Sequence, residues 1–345
     1  IRNLQVTGGV LTLIEDGGGI RNNVGNLSVE GSTIAGNSSK FSGGGVAVYS
    51  SLSMINSTIS GNSADGSGGG LYFPNSTGTV KSSTITDNTA DADADNSGDG
   101  GGFADTAATS VNFFNVILAA NKDLSPVTKS PDCYSGPNFY PRYVVTTQVL
   151  GAGSCLVGFN PGTNIKVDDA LIGALNFDGR IPVHPLLAGS AAIGAAGTAA
   201  PDQCPATDQL GKQRPADGCD IGAVQYVEPP PPEAKLLIET IKPAKKKVKR
   251  GKTIKIKVTI LNSGDAIARN VKVCLKLKAK KTKKALKIKG KSCKSVGSMD
   301  PAARRKPVFK VMAKKKAKKK AFTVVSSVQA TGLSKATRPF KIKVK

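Results

Sequence analysis

A triplet of glycines recurs along the first third of the chain and keeps a nearly constant spacing. The triplets are 26, 25 and 32 residues apart and begin at Gly17, Gly43, Gly68 and Gly100. A second phrase follows each triplet; its versions are STIAGN ending at Asn37, STISGN ending at Asn62, STITDN ending at Asn88 and VILAAN ending at Asn121. Two phrases that keep step define a true repeat.

Within one repeat, apolar residues alternate with small or polar ones. Val46 and Val48 are followed by Leu52 and Met54, and then by Ile59. This period of two predicts three short β-strands per repeat, each too short to be stable alone. A repeat of this length, with glycine and asparagine at its corners, is typical of one coil of a parallel β-helix. A disordered Gly/Ser segment, the alternative, leaves the regular apolar residues unexplained.

Stacked coils lie about 4.8 Å apart, so equivalent residues of successive coils should touch. The register predicts two inward apolar columns and one corner column: Val29, Met54, Val80 and Phe113; Ile34, Ile59, Ile85 and Leu118; and Asn37, Asn62, Asn88 and Asn121. Asparagine suits a corner because it tolerates left-handed geometry and its amide can bond its neighbours above and below. Glycine recurs where a Cβ would clash or force an unfavourable φ.

The glycine phrase followed by S-T-I-x-x-N resembles the repeats of bacterial right-handed β-helix proteins related to the chlamydial polymorphic outer membrane proteins. Two later stretches, HPLLAGSAAIGAAG (184–197) and TDQLGKQRPADGCDIGAVQY (207–226), resemble the closing region of bacterial choice-of-anchor Q proteins. The chain departs from that closing pattern at Ala191, Gly194 and Leu210, where the family has Pro, Asp and Arg. The resemblance implies a right-handed parallel β-helix.

We therefore predict β-helix coils over residues 1–130 and the final coils with a C-terminal cap over residues 131–227. A cap is needed because the last coil would otherwise expose apolar residues and unpaired strand edges. Arg214, Asp208 and Asp220 are expected to form a structural ion network rather than a catalytic group. The chain starts inside a coil, without Met or a signal peptide, which predicts a mature or truncated piece that has lost earlier coils.

Charge separates the chain into two modules. Residues 1–234 hold 11 Lys and Arg against 21 Asp and Glu, a net charge of −10, whereas residues 235–345 hold 37 against 3, a net charge of +34. The proline run VEPPPPE favours extended polyproline II and predicts a linker over residues 228–234. Beyond it, KTIKIKVTI, VKVCLKLK and FKIKVK alternate apolar residues with lysine, which predicts half-buried antiparallel strands of a β-sandwich.

The stretch KVTILNSGDAIARNVKVCL (257–275) resembles a phrase of bacterial Ig-like modules of the CARDB-like kind, which occur on secreted and surface proteins. The predicted fold class is therefore all-β: a right-handed parallel β-helix followed by an Ig-like β-sandwich over residues 235–345. The expected location is extracellular or on the cell surface, and the expected state is a monomer. No run of about 18 apolar residues exists, so no membrane span is predicted.

The chain has six cysteines, which fall into three local pairs: Cys133 with Cys155, Cys204 with Cys219, and Cys274 with Cys293. None has the C-x-x-C spacing of a zinc or redox site, and an even count suits disulfides made outside the cytosol. Six cysteines allow 15 pairings. Local pairing is the prediction, with small buried thiols of a cytosolic protein as the alternative.

The run AKKKAKKKA (313–321) is the candidate binding segment of the basic module. Its cations are Lys314, Lys315, Lys316, Lys318, Lys319 and Lys320. Such a segment attracts anionic polymers through counterion release and long-range attraction, so the expected partner is an anionic cell-wall or extracellular polysaccharide. The simpler alternatives are that lysine only solvates the sheet and protects its edges, or that the basic module docks on the acidic solenoid. Specific nucleic-acid binding is not expected, because stacking aromatic residues are scarce.

An enzyme is the competing class, since β-helix proteins often cleave polysaccharides. Asp168 and Asp169 form the only Asp-Asp pair, and the sole histidine, His184, lies in V-H-P. Neither a paired-carboxylate hydrolase nor a Ser-His-Asp triad therefore has a clear location, and we predict no catalytic residue. Without Trp, sugar stacking would fall to Tyr49, Tyr72 and Phe73.

A calcium-assisted polysaccharide lyase would use the insertion DADADNSGD (91–99), which should bulge out as a surface loop. Its weak calcium candidates are Asp91, Asp93, Asp95 and Asp99. The EF-hand pattern needs Gly at its sixth position and Glu at its twelfth, where this chain has Asn96 and Gly102. An ordinary acidic loop and no cofactor is the simpler prediction.

Overall fold

The computed structural model describes residues 1–13, 15–107, 110–126, 130–148, 160–177, 181–243 and 246–345. The chain divides into two compact units, Ile1–Glu228 and Pro229–Lys345. Over the described ranges, the only α-helix is the six-residue Lys280–Ala285, and the remaining regular elements are β-strands. The first unit is a parallel β-solenoid and the second a β-sandwich, which confirms the all-β fold class.

The three coils between Ile20 and Ala90 have four strands each rather than the three predicted. In one coil these are Val46–Val48, Ser51–Ile55, Thr58–Ser60 and Ser63–Ala64. The fourth strand was not predicted because two small residues carry no alternating pattern. Equivalent strands of successive coils pair in parallel and form four faces, two of which join into one large sheet.

The faces are numbered from the glycine triplet that opens each coil. The first face consists of Ile20–Asn22, Val46–Val48, Leu71–Phe73, Phe103–Asp105 and Cys133–Tyr134. The second consists of Asn26–Glu30, Ser51–Ile55, Thr77–Lys81 and the starts of Ser110–Ala119 and Phe139–Thr146. The third consists of Gln5–Thr7, Thr33–Ala35, Thr58–Ser60, Thr84–Thr86, the ends of those two long strands and Ile165–Lys166. The fourth consists of Val10–Leu11, Ser38–Ser39, Ser63–Ala64, Thr89–Ala90 and Lys122–Asp123.

The two predicted apolar columns are present. On the second face, Met54 lies directly opposite both Val29 and Val80, and Val80 lies opposite Phe113. On the third face, the aligned residues are Ile34, Ile59, Ile85 and Leu118. All these side chains are fully buried. Burial of such aliphatic rows between coils is the main stabilising term of a solenoid.

The corner asparagines form a continuous ladder of amide hydrogen bonds. Each Nδ2 donates to the Oδ1 of the next asparagine: Asn37 to Asn62 at 2.9 Å, Asn62 to Asn88 at 2.9 Å, and Asn88 to Asn121 at 3.0 Å. The expected left-handed geometry belongs instead to the preceding residues, which are Gly36, Gly61, Asp87 and Ala120. The turn is completed one residue early, so the asparagine side chain can point into the stack.

The glycine triplets serve the two purposes predicted for them. Gly68 has a φ of 66°, in the left-handed region. A Cβ on Gly69 would lie 2.3 Å from the carbonyl oxygen of Thr89, and a Cβ on Gly70 would lie 2.5 Å from that of Gly102. The corner therefore admits no side chain at any of the three positions without strain or clash.

The segment 181–226 lies along the side of the coils, against the third face, whereas the sequence placed it over the open end. Thr33, Thr58 and Thr84 point outward from successive coils and are nonetheless buried. Their hydroxyls bond to the Pro182 carbonyl at 2.6 Å, to Gln209 Oε1 at 2.6 Å and to the Ala223 N–H at 3.0 Å. We call the segment 181–226 the side cover. It packs against the third face because the outward side chains of this face are small and carry hydroxyl groups, which bond polar groups of the segment. A short antiparallel pair, Asn176–Phe177 with Pro182–Val183, precedes it.

Two sheets form the second unit. The front sheet contains, in spatial order, Leu236–Lys242, Thr253–Asn262, Val308–Ala313 and Leu286–Lys289, with Arg304–Arg305 beside Thr253–Asn262. The back sheet contains Lys247–Val248, Ala336–Val344, Ala321–Gln329, Ala268–Lys276 and Cys293–Met299. Ile256, Val258 and Ile260 are buried in the core, and Lys255 and Lys257 are exposed, as predicted.

Two disulfides follow the predicted local pairing, Cys204 with Cys219 and Cys274 with Cys293. Cys133 is also disulfide-bonded, but its predicted partner, Cys155, lies outside the described residues. Among the described residues, no helix has the length and apolar character needed to cross a bilayer.

Candidate anion-binding surface

The predicted lysine run forms the loop between Val308–Ala313 and Ala321–Gln329. Ala317 is buried in the sandwich core, and the N–H of Lys314 donates to the Ala285 carbonyl at 2.9 Å. The loop is thereby held against the helix Lys280–Ala285. Ala313 and Ala317, four residues apart, are buried. The lysines of the loop point outward, with Lys315, Lys316, Lys318, Lys319 and Lys320 exposed and Lys314 half-buried.

The structure adds two lysines that the sequence did not single out. A hollow of about 360 Å³ is lined by Lys281 and Lys284 of the helix and by Lys316, Lys318 and Lys320 of the loop, over Ala285, Ala317 and Phe322. Residues three apart on a helix share one side, which is why Lys281 and Lys284 meet the loop together. The run KKTKK carried this signal, but only the fold shows that it faces the loop.

A second hollow, of about 830 Å³, is lined by lysines that include Lys278, Lys283, Lys287 and Lys314. The turn at 249–252 closes the same end of the sandwich, because the N–H of Gly251 donates to the Ala313 carbonyl at 2.8 Å. We call the segments 249–252, 276–287 and 314–320 the lysine end. These segments contain no acidic residue.

The acidic residues of the sandwich lie toward its opposite end. Antiparallel register places Thr253 beside Met312 at the lysine end, and Asn262 beside Leu236 at the other. Asp265 accepts the N–H of Glu233 there at 2.7 Å. Glu239 forms an ion pair with Arg304 at 2.9 Å, and the hydrogen bond from Arg304 lowers the pKa of Glu239. The lysine end therefore carries only positive charges, and the acidic residues lie toward the opposite end.

The acidic insertion brings three of its four calcium candidates together. Within the described residues, carboxylate oxygens of Asp91, Asp93 and Asp95 all lie within 4.8 Å of one another, and Asp99 is outside this group. Asp91 is fully buried, and its two oxygens accept the N–H groups of Asp95 and Asn96, each at 3.0 Å. Burial, and then repulsion from Asp95, raises the pKa of Asp93. Asp91 thus shapes the loop, and calcium binding stays a prediction.

His184 belongs to the side cover, and its side chain contacts Ser60 of the third face. Its Nδ1 donates to the Gly173 carbonyl at 2.7 Å, so its Nε2, 2.8 Å from Ser60 Oγ, accepts the hydroxyl proton. Burial lowers the pKa of His184. The side chain is 3% exposed, so this Ser-His pair joins two parts of the fold and has no access to a substrate.

The surroundings of four other candidate residues bear on a polysaccharide site. Phe73 is fully buried inside the solenoid and is therefore wrong as a sugar-stacking residue. Tyr49 donates its hydroxyl to Asp16, and burial followed by this hydrogen bond raises the pKa of Tyr49 to about 12. Tyr72 is half-buried. Asp169 accepts the N–H of Leu171 at 2.8 Å in a local turn.

The expected network around Arg214 is built mainly from bonds to backbone groups. The buried guanidinium donates to the carbonyls of Asp220 at 3.0 Å and Gly222 at 2.8 Å. The carboxylate of Asp208 accepts the N–H of Leu210 at 2.9 Å. Burial lowers the pKa of Arg214, and the charges of Asp208 and Asp220 oppose that shift. The network ties together loops of the side cover.

No protein-family model and no curated protein matches the chain. Parts of the chain are similar to solved structures. Native E. coli alpha-2-macroglobulin is 17% identical over a match that covers 35% of this chain and 7% of that protein, with a TM-score of 0.25. The CARDB domain of a Pyrococcus furiosus protein in complex with di-metal ions is 16% identical, with 33% covering 89% and a TM-score of 0.23. Spo0M, a sporulation control protein from Bacillus subtilis, is 12% identical, with 33% covering 49% and a TM-score of 0.20. Similarities at this level carry no argument about function.

Proposed function

We propose that the protein is a non-catalytic secreted or cell-surface protein. Its solenoid presents a long surface, and its sandwich associates with anionic envelope or extracellular polysaccharide through the lysine end. The observation that carries this proposal is the gathering of the predicted loop lysines with Lys281 and Lys284 around one hollow. The local disulfides are consistent with an oxidising compartment.

The electrostatics favour long anionic chains over small ligands. Exposed lysines are hydrated point charges, so each contributes little alone, but a polymer that neutralises several at once releases several counterions. The solenoid unit carries the opposite net charge and adds no attraction for a polyanion. The polymer should therefore bind the sandwich, with an affinity that falls steeply as salt rises.

The test is binding of the full chain to immobilised polygalacturonate at low and high salt. The variant Lys316→Gln/Lys318→Gln/Lys320→Gln should bind on the order of 100-fold more weakly at low salt, if each lysine contributes the roughly 1 kcal/mol of a cation near an anionic surface. The matched control, Lys235→Gln/Lys306→Gln/Lys335→Gln, removes the same charge outside the lysine end and should bind nearly as the wild type. Equal losses in the two variants, or binding insensitive to salt, would contradict the proposal.

The competing function is a polysaccharide lyase or hydrolase on the solenoid, and the close approach of Asp91, Asp93 and Asp95 is the observation that favours it. Incubation with acidic and neutral glycans plus Ca²⁺ decides between the two. New reducing ends or unsaturated products would support the enzyme, and their absence with every glycan would contradict it.

A further inference from the structure

A row of lysines crosses the outer face of the front sheet. Lys289, Lys310 and Lys255 lie directly opposite one another on three neighbouring strands, and all three are exposed. Lys257 lies two positions further along the same face and opposite Lys242. We call Lys289, Lys310 and Lys255 the lysine row.

The lysine row is unfavourable for the sheet itself. Like charges directly opposite on neighbouring strands repel, and β-branched or aromatic residues would suit the same positions better. Protection of sheet edges accounts for lysine on edge strands. It accounts for Lys289, which lies on the edge strand Leu286–Lys289, but not for Lys310 and Lys255, whose strands are interior.

The front sheet has no anion of its own to neutralise the row. Its strands contain a single acidic residue, Glu239, which is paired with Arg304 toward the other end of the sheet. Lys287, two residues before Lys289 on the edge strand, lines the 830 Å³ hollow of the lysine end. Along the edge strand, exposed lysines thus continue from the lysine end to the row.

We propose that the lysine row is a second binding site, which takes a linear acidic polysaccharide with one carboxylate per sugar. The chain runs from the lysine end across the strands. This inference rests on the proposed function and extends it from the end of the sandwich to its face.

The spacing and chemistry of the row select this ligand. A chain with one carboxylate per sugar supplies closely spaced anions, which the flexible lysine side chains on strands about 4.8 Å apart can reach together. The row has no arginine fork for bidentate phosphate recognition and no aromatic ring on which a base could stack. A polymer long enough to span both sites binds them together, so the two sites reinforce each other.

The experiment compares the full chain with the row variant Lys255→Gln/Lys289→Gln/Lys310→Gln, using long polygalacturonate, a short oligogalacturonate and neutral dextran. Without polymer at low salt, the row variant should melt at a higher temperature than the wild type, because the repulsion is relieved. It should bind long polygalacturonate on the order of 100-fold more weakly, while short oligogalacturonate, which occupies the lysine end alone, loses much less. The variant with arginine at the same three positions should keep the wild-type affinity.

The outcomes separate this inference from the proposed function. If the variant at Lys316, Lys318 and Lys320 loses affinity but the row variant keeps it, the proposed function stands and the second site is wrong. If the wild type does not bind polygalacturonate at all, both fail. Loss of affinity in the arginine variant, or tighter binding of single-stranded RNA than of polygalacturonate, would also overturn the second site.

Discussion

The asparagine ladder offers the sharpest test of the solenoid, through Asn62→Ala. The Asn62 side chain is buried and takes part in four hydrogen bonds. Its Nδ2 donates to Asn88 Oδ1 at 2.9 Å and to the Ile34 carbonyl at 3.0 Å. Its Oδ1 accepts the backbone N–H of Asn37 at 3.0 Å and the Asn37 amide at 2.9 Å.

The expected loss follows from the groups that the truncation leaves behind. Asn88 Oδ1 still accepts the backbone N–H of Asn62, and the amide of Asn37 still donates to the Val6 carbonyl. The N–H of Asn37 and the carbonyl of Ile34 lose their side-chain partner inside the stack. At about 1–3 kcal/mol for each buried group left unsatisfied, the free energy of unfolding should fall by about 4 kcal/mol. That is a large part of the stability of an ordinary domain.

Tyrosine fluorescence during urea unfolding of the full chain measures this loss in the right unit. The chain has no Trp, and all six of its tyrosines precede residue 229, so the signal reports the solenoid alone. The control is Asn23→Ala, an exposed residue whose Oδ1 accepts from Arg21 at 2.8 Å, which should change stability by about 0.5 kcal/mol or less. If the two variants unfold at the same urea concentration, the ladder does not stabilise the stack.

Three further predictions concern stability. Gly69→Ala should prevent solenoid folding, judged by circular dichroism, because its methyl would lie 2.3 Å from a backbone oxygen, whereas Gly136→Ala meets open space and should fold normally. Burial lowers the pKa of His184 below its ordinary 6.5. The stability that neutral His184 contributes above pH 6.5 is therefore lost as the pH falls through the folded-state pKa. In His184→Gln, the melting temperature should change less over this pH range. Replacing Cys204 and Cys219 by alanine should cost about 3 kcal/mol in urea unfolding, and an unchanged midpoint would contradict this.

Local and repeated interactions could be predicted from the sequence. The columns through Met54 and Ile59 follow from a period of two within each repeat and a constant spacing between repeats, because stacking brings equivalent residues together. The glycine corners follow from the same spacing. The opposite net charges of the two modules could be calculated from residue counts alone, since net charge does not depend on folding.

Contacts between distant segments could not be predicted in this way. The pairing of Ser60 with His184, the burial of outward Thr58 under Gln209, and the left-handed residue at Gly61 rather than Asn62 depend on which surfaces meet in space. The sequence shows lysines alternating with apolar residues along each strand. Only the sheet register shows that Lys310 lies between Lys255 and Lys289. Residues at equivalent positions of a repeat become neighbours because the coils stack. The contacts of non-repeating segments depend on the total free energy of the folded chain, which cannot be read from a local sequence pattern.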